Sequence, residues 1–199
     1  MDLVSPGIVH WTSPHPRIGM DVSSYYLSDE HVLIDPMVPP DGLDWFEENG
    51  PPTDVLMTNR HHDRDAWKFV ERFGCRVHCV RNGLHEIQGR GAAAPFDFGD
   101  ELPGGAVAYE VGAICPDDCA LHLPDHRALA VADGVMHYDG LRFVPEQYMD
   151  DPERTKAGIR AAYLRLSDEL DFDTLLTAHG EPLVGGARAA LRAFAEGGC

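Results

Sequence analysis

"TNRHHDRDA", residues 58–66, places two arginines, two histidines and two aspartates within six consecutive positions, directly behind the apolar run "DVLM". A short apolar run that ends in a polar cluster reads as a buried strand delivering its loop to one rim of a sheet. Immediately downstream, Ala66, Phe69, Val70 and Phe73 recur at i, i+3, i+4 and i+7, the stripe of an amphipathic helix closed by Gly74. Asp65 stands where a carboxylate caps such a helix. The stretch is therefore a strand–loop–helix unit with imidazoles and carboxylates in its loop.

Upstream, "GIVHWTS", "DVSSYYLS" and "HVLID" have strand composition with turn residues between them, the pattern of a β-meander, and Asp35 ends the third strand. "PPDGLDWFEENG" begins with proline and ends with glycine, as short helices do. Downstream, "RVHCV" is a further strand, and residues 82–105 are glycine-rich without a clear period. "AVAYEV", "CALHLP" and "ALAVAD" return to strand composition. Ile159, Ala162, Tyr163, Leu166 and Leu170 then form a helical stripe, "FDTLLTAH" is a strand ending in His179, and "GARAALRAFAE" is a terminal helix. Two batches of strands, each followed by helices, predict two sheets packed face to face with helices outside, a four-layered α/β architecture in one domain over residues 1–199.

The 199-residue chain is 44% hydrophobic and 25% charged, with no apolar run long enough to cross a bilayer, so it reads as globular. The first twenty residues lack the basic start and apolar core of a secretory signal, which predicts the cytoplasm. Thirty-three acidic against sixteen basic residues give a formal charge of −17, which disfavours nucleic acid and anionic lipid as partners. A small-molecule substrate is expected, and a symmetric homodimer is the assembly common at this size. The five cysteines are read as free thiols; Cys75 and Cys79 lie roughly 13 Å apart at strand rise, too far to bridge.

Metal hydrolases hold a divalent ion with several imidazole and carboxylate donors while leaving one position open for water. Four strand ends supply such groups: His61, His62, Asp63 and Asp65 after "DVLM"; Asp117 and Asp118 in "VGAICPDDC"; Asp133 in "VADG"; and His179 in "AHGEP". Cys115 in the second group is a weaker candidate. "GAICPDDC" also reads as a tight turn in which Pro116 fixes φ and an aspartate meets local backbone donors. His10, His15, His31, His78, His85, His122, His126 and His137 carry no motif and are read as structural or exposed.

In the order of these elements and in their motifs, the chain resembles the metallo-β-lactamase superfamily over nearly its whole length. That family's strand–Thr–His-x-His-x-Asp-His motif corresponds here to Thr58, Asn59, Arg60, His61, His62, Asp63 and Arg64. Asp133 matches its bridging aspartate and His179 its last histidine. The resemblance implies the αββα fold, and it implies that His61, Asp63, Asp133 and His179 survive as metal ligands. Asn59 and Arg64 stand where two ligand histidines would be, and Ile114 stands in the place of a third.

The remaining donors would hold one ion rather than the usual pair, with zinc, iron or manganese suited to the mixed donor set. Asp63 and Asp133 would orient or deprotonate the attacking water in cleavage of an ester, thioester or amide. Asn59 and Arg64 would face the substrate. His62, alternating with His61, would point behind the site or to solvent. Arg64, a permanent cation at a former ligand position, supports a second reading: a metal-free, non-catalytic member of the fold that binds a ligand or partner. A third is a mononuclear iron oxygenase using His61, His179 and a carboxylate.

Overall fold

The computed structural model describes residues 1–87 and 89–197. In chain order the elements are β1 (Asp2–Ser5), β2 (Ile8–Pro14), β3 (Asp21–Leu27), β4 (Val32–Ile34), α1 (Asp44–Asn49), β5 (Asp54–Leu56), α2 (Ala66–Phe73), β6 (Arg76–Val80), α3 (Leu84–Ile87) and β7 (Ala93–Phe96). There follow β8 (Val107–Glu110), β9 (Cys119–Leu123), β10 (Ala128–Val131), β11 (Met136–His137), β12 (Leu141–Arg142), α4 (Pro152–Glu169), β13 (Thr174–Thr177), β14 (Leu183–Val184) and α5 (Ala187–Glu196). Strands β1 to β7 form one sheet in sequence order, antiparallel as far as β4 and parallel from β4 to β7. The second sheet has the order β14-β13-β10-β9-β8, with β10 and β13 parallel.

The layering follows from the two-residue period of a strand, which sends successive side chains to opposite faces. Val32, Ile34 and Leu56 of the first sheet meet Ala128, Ala130, Leu121 and Leu176 of the second in a core between the sheets. Their neighbours Leu33, Val55 and Val77 point outward to a second core with Phe46 of α1 and Phe69 of α2. Leu129, Val131 and Leu175 point away from the first sheet into a third core with Ile159, Tyr163 and Leu166 of α4 and Leu191 of α5. Three cores separate four layers, α, β, β and α. Buried on both faces, the central strands read as continuous apolar runs, as parallel strands do.

The long helix begins at Asp151, whose side chain accepts from Arg154 N at 3.1 Å, with Pro152 in the first turn. α2 ends at Gly74 in the left-handed conformation, as its sequence predicts. The short pieces β1, α3, β7, β11, β12 and β14 are absent from the sequence reading because each is too brief to carry a period. Among the described residues no helix is long and apolar enough to cross a membrane. Cys75, Cys79, Cys115 and Cys119 are free and buried; Cys199 lies outside the described residues.

Candidate metal centre

The parallel pairing of β10 with β13 sets Val131 opposite Thr177, so Asp133 and His179, each two residues further on, leave neighbouring strands at the same level. His179 Nε2 lies 3.0 Å from Asp133 Oδ1. Both residues are followed by glycine for reasons of space. A Cβ on Gly134 would run into the Tyr163 hydroxyl, and one on Gly180, whose φ is +86°, would overlap the His137 carbonyl. The backbone beyond His179 is tied to β11 through His137 N to His179 O at 3.1 Å.

The first sheet contributes from the end of β5. The loop after Thr58 winds into a short 3₁₀ turn over Arg60–Asp63, capped by Asn59, whose Oδ1 accepts from His61 N at 2.8 Å. The turn carries His62 inward. Its Nε2 lies 3.1 Å from Asp133 Oδ1, and its Nδ1 lies 2.8 Å from Asp35 Oδ2 and 2.9 Å from Thr58 Oγ1. Asp35 also accepts from Thr58 N at 2.9 Å and from Thr58 Oγ1 at 2.5 Å. It is buried with φ +47°, a left-handed conformation that non-glycine residues adopt only when their surroundings hold them there. Asn59 Nδ2 donates to Asp133 Oδ2 at 2.9 Å, leaving Oδ1 turned toward both imidazoles.

One donor atom from each of His62, Asp133 and His179 lies within 4.8 Å of the others. Electrostatics knit them together. Burial works against a charge on His62, but Asp133 and Asp35 on either side outweigh it and push its pKa up to about 9. Burial likewise opposes ionisation of Asp133, and His62 and His179 overcome it, holding the carboxyl well below its usual range. Asp35 is lowered in the same way, burial being outweighed chiefly by His62.

Several expected placements are corrected. A 3₁₀ turn, rather than an alternating loop, puts His62 in the donor cluster and leaves His61 exposed on the pocket wall. Asp63 turns away from Asp133 and His179 and pairs with Arg90. Asn59, 1% exposed, spends its amide on Asp133 and on the turn. Arg64 neither faces outward nor bonds a carboxylate: Nη1 donates to the Ser23 and Asp35 carbonyls at 2.6 and 2.7 Å, and Nη2 reaches Ala178 O at 3.4 Å.

The remaining candidates lie apart from the cluster. Asp117 accepts from Arg60 N and Nε at 2.6 and 2.5 Å. Asp118 is buried with both oxygens unpartnered, and burial together with Asp133 keeps its carboxyl well above the usual range. Cys115 is buried, its thiol pushed up by that burial. Asp65 holds Val38 N at 2.9 Å instead of capping α2.

Asp35, Thr58, His15 and Arg17 went unread as site residues. For Asp35 the signal is a lone carboxylate ending the apolar run "HVLI", and for Thr58 its place at the head of the motif; His15 and Arg17 carry none.

The cluster opens into a pocket of about 520 Å³. The β2–β3 hairpin lines it with His15, Arg17, Met20 and Val22, and the segment from β11 onward lines it with Met136, Val144, Tyr148 and Asp150. The donor chemistry fits a divalent ion: two imidazoles and a carboxylate face one point on the pocket side, and Asp35 fixes the remote nitrogen of His62 as carboxylates do behind metal-binding histidines. Among the described residues it is the only such group of three donors.

No family model and no curated protein matches the sequence. Solved structures do. A metallo-β-lactamase from Pontibacter korlensis superposes with a TM-score of 0.71 at 17% identity, over 98% of this chain and 97% of that one. The protein TTHA1623 in a di-iron-bound form gives 0.69 at 19% identity over 92% of this chain and 99% of that one. The flavodiiron protein from Giardia intestinalis gives 0.71 at 15% identity over 97% of this chain, which spans 57% of that longer chain. Two sheets, outer helices and a rim of polar strand ends thus define a metallo-β-lactamase fold, as the resemblance in sequence implied.

Proposed function

We propose that this protein is a metal-dependent hydrolase acting on a small ester, thioester or amide, with a single ion held by His62, Asp133 and His179. The observation that carries the reading is the convergence of these three donors at the mouth of a pocket large enough for a small substrate. A divalent ion at such a set supplies Lewis acidity and lowers the pKa of a coordinated water. The protein's own groups set the geometry. Asp35 and Thr58 fix the His62 ring by Nδ1, leaving Nε2 for the site, and Asn59 holds Asp133 by Oδ2, leaving Oδ1. His61 and His15 on the pocket wall stand where a proton can be passed to a leaving group.

One observation favours a second reading, a metal-free binding protein. Asp35 and Asp133 carry two negative charges, and protonated His62 with buried Arg64 carries two positive ones, so the site is balanced by its own side chains. An ion must displace the His62 proton to enter. Two imidazoles and one carboxylate are also the donor set of mononuclear iron oxygenases, and the metal found separates that reading.

The test is elemental analysis of untagged protein before and after reconstitution, reading zinc, iron, manganese and nickel together. About one equivalent per chain, lost in His62→Ala, is the expected result for a three-donor site. Background values after reconstitution would overturn the hydrolase in favour of the binding protein.

A further inference from the structure

We infer that the pocket recognises an acyl compound with an apolar stem that ends in a carboxylate, and that this carboxylate docks on Arg17. The inference rests on the hydrolase reading for the bond that is cleaved, while its binding half stands without a metal.

In a chain of net charge −17 the general field repels anions, so an anionic ligand needs a local cation that is not already committed. Of the two arginines lining the pocket, Arg64 is spent on three carbonyl oxygens. Arg17 is free by comparison. Its side chain is 63% exposed, and among the described residues its one carboxylate neighbour is Asp63, whose Oδ1 lies 4.0 Å away, beyond hydrogen-bond reach, and whose Oδ2 pairs with Arg90. Asp133, an acid in the pocket lining, is already in contact with His62 and His179.

The hairpin presents Arg17 from a fixed backbone. His15 N donates to Met20 O at 2.8 Å, Gly19 N to His15 O at 3.2 Å, and Arg17 N to His15 Nδ1 at 3.3 Å. A guanidinium on a built turn gives up less freedom when it takes a carboxylate in its planar fork. The pocket that Arg17 and the donor cluster both line is largely aliphatic, with Ile18, Met20, Val22, Ile114, Met136 and Val144 in its lining. A chain of methylenes fits that surface, whereas a polar stem would lose its water without replacement partners. Asp150, also in the lining, repels a carboxylate, so Arg17 is where one is favoured.

The probes are monomethyl adipate, which carries an ester, four methylenes and a carboxylate, and dimethyl adipate, which lacks the charge. Calorimetric titration of chelator-stripped protein removes coordination of the carboxylate by a metal as an explanation. The monomethyl ester is expected to bind about tenfold more tightly than the dimethyl ester, a difference of about 1.4 kcal/mol. Arg17→Gln, at an exposed position, should erase that preference while leaving Tm and dimethyl adipate binding unchanged. Equal binding of the two esters, a preference that survives Arg17→Gln, or no binding of monomethyl adipate by about 10 mM would each overturn the inference. Loss of the preference in a protein that still takes up metal sinks this inference alone. A retained preference in a protein that never takes up metal sinks the hydrolase alone.

Discussion

The two sheets meet at one rim but equip it differently. The second sheet delivers Asp133 and His179 from adjacent parallel strands, and the register of β10 with β13 is enough to bring them together. The first sheet delivers a loop in which Asn59 and Arg64 satisfy themselves on protein atoms. The donor it does contribute, His62, is reached only through a 3₁₀ turn and a buried aspartate behind it. One side of the rim is built like a metal site; the other is built like a hydrogen-bonded core that happens to present an imidazole. Ligands in this fold decide the chemistry, so the difference bears directly on whether the protein is a catalyst.

Asp133→Ala should have the largest effect, because Asp133 is where the two sides meet. It removes the shared acceptor of both imidazoles and strands His62 with Asp35 alone. Metal uptake should fall to background, and the protein should lose about 3–5 kcal/mol, the usual cost of breaking a buried pair. Full metal occupancy in that variant, measured by elemental analysis, would show the donor set to be wrong.

Next, His62→Ala and His61→Ala distinguish the turn observed from the alternating loop that the sequence suggests. His62→Ala should abolish stoichiometric uptake, while His61→Ala should leave the metal content unchanged. The reverse result would restore the alternating loop.

Arg64→Met tests the self-satisfied side. It removes one donor from each of the Ser23, Asp35 and Ala178 carbonyls, of which Asp35 O keeps Ser24 Oγ and Ala178 O keeps Ser23 N, and should cost about 2 kcal/mol in urea unfolding, with metal stoichiometry retained. Arg64→Lys should not recover the loss, because an ammonium cannot span carbonyls from both sheets as a planar fork does. A variant of wild-type stability would mean that the guanidinium is not the clasp described.

The remaining effect is in pH. The His62 pKa is near 9 in the folded, metal-free protein against 6.5 for the ordinary group. Its stabilising contribution is therefore complete below about pH 6.5 and lost as the pH rises through 9. The Tm of chelator-treated protein should fall across that window, and that of metal-loaded protein should fall less, since a coordinated imidazole has already given up the proton that titrates there. Identical profiles would argue that the ion, if present, is held elsewhere.

Much of the fold was legible because its long elements carry strong periods. The stripe Ile159, Ala162, Tyr163 and Leu166 and the apolar run "ALAV" allow few other placements, and their order along the chain carried the resemblance. Asp133 and His179 were legible for a related reason: each follows a buried strand and precedes a glycine that the packing requires. His61 was preferred to His62, and Asp63 was read as a ligand, because the motif was aligned by position as though the loop were extended. Local spacing does not report how tightly a loop winds, and one residue of extra winding exchanges the inward and outward side chains.

Composition and periodicity by themselves determined a layered α/β chain with two batches of strands and a polar rim after "DVLM", because burial of alternating or continuous apolar runs leaves little freedom. The inward turn of His62, the clasp of Arg64 across both sheets and the role of Asp35 were decided in three dimensions. They depend on partners distant in sequence, 71 residues away for His62 and Asp133 and 114 for Arg64 and Ala178. A hydrogen bond is fixed by distance and angle between such partners, and neither quantity is written in the spacing of residues along one strand.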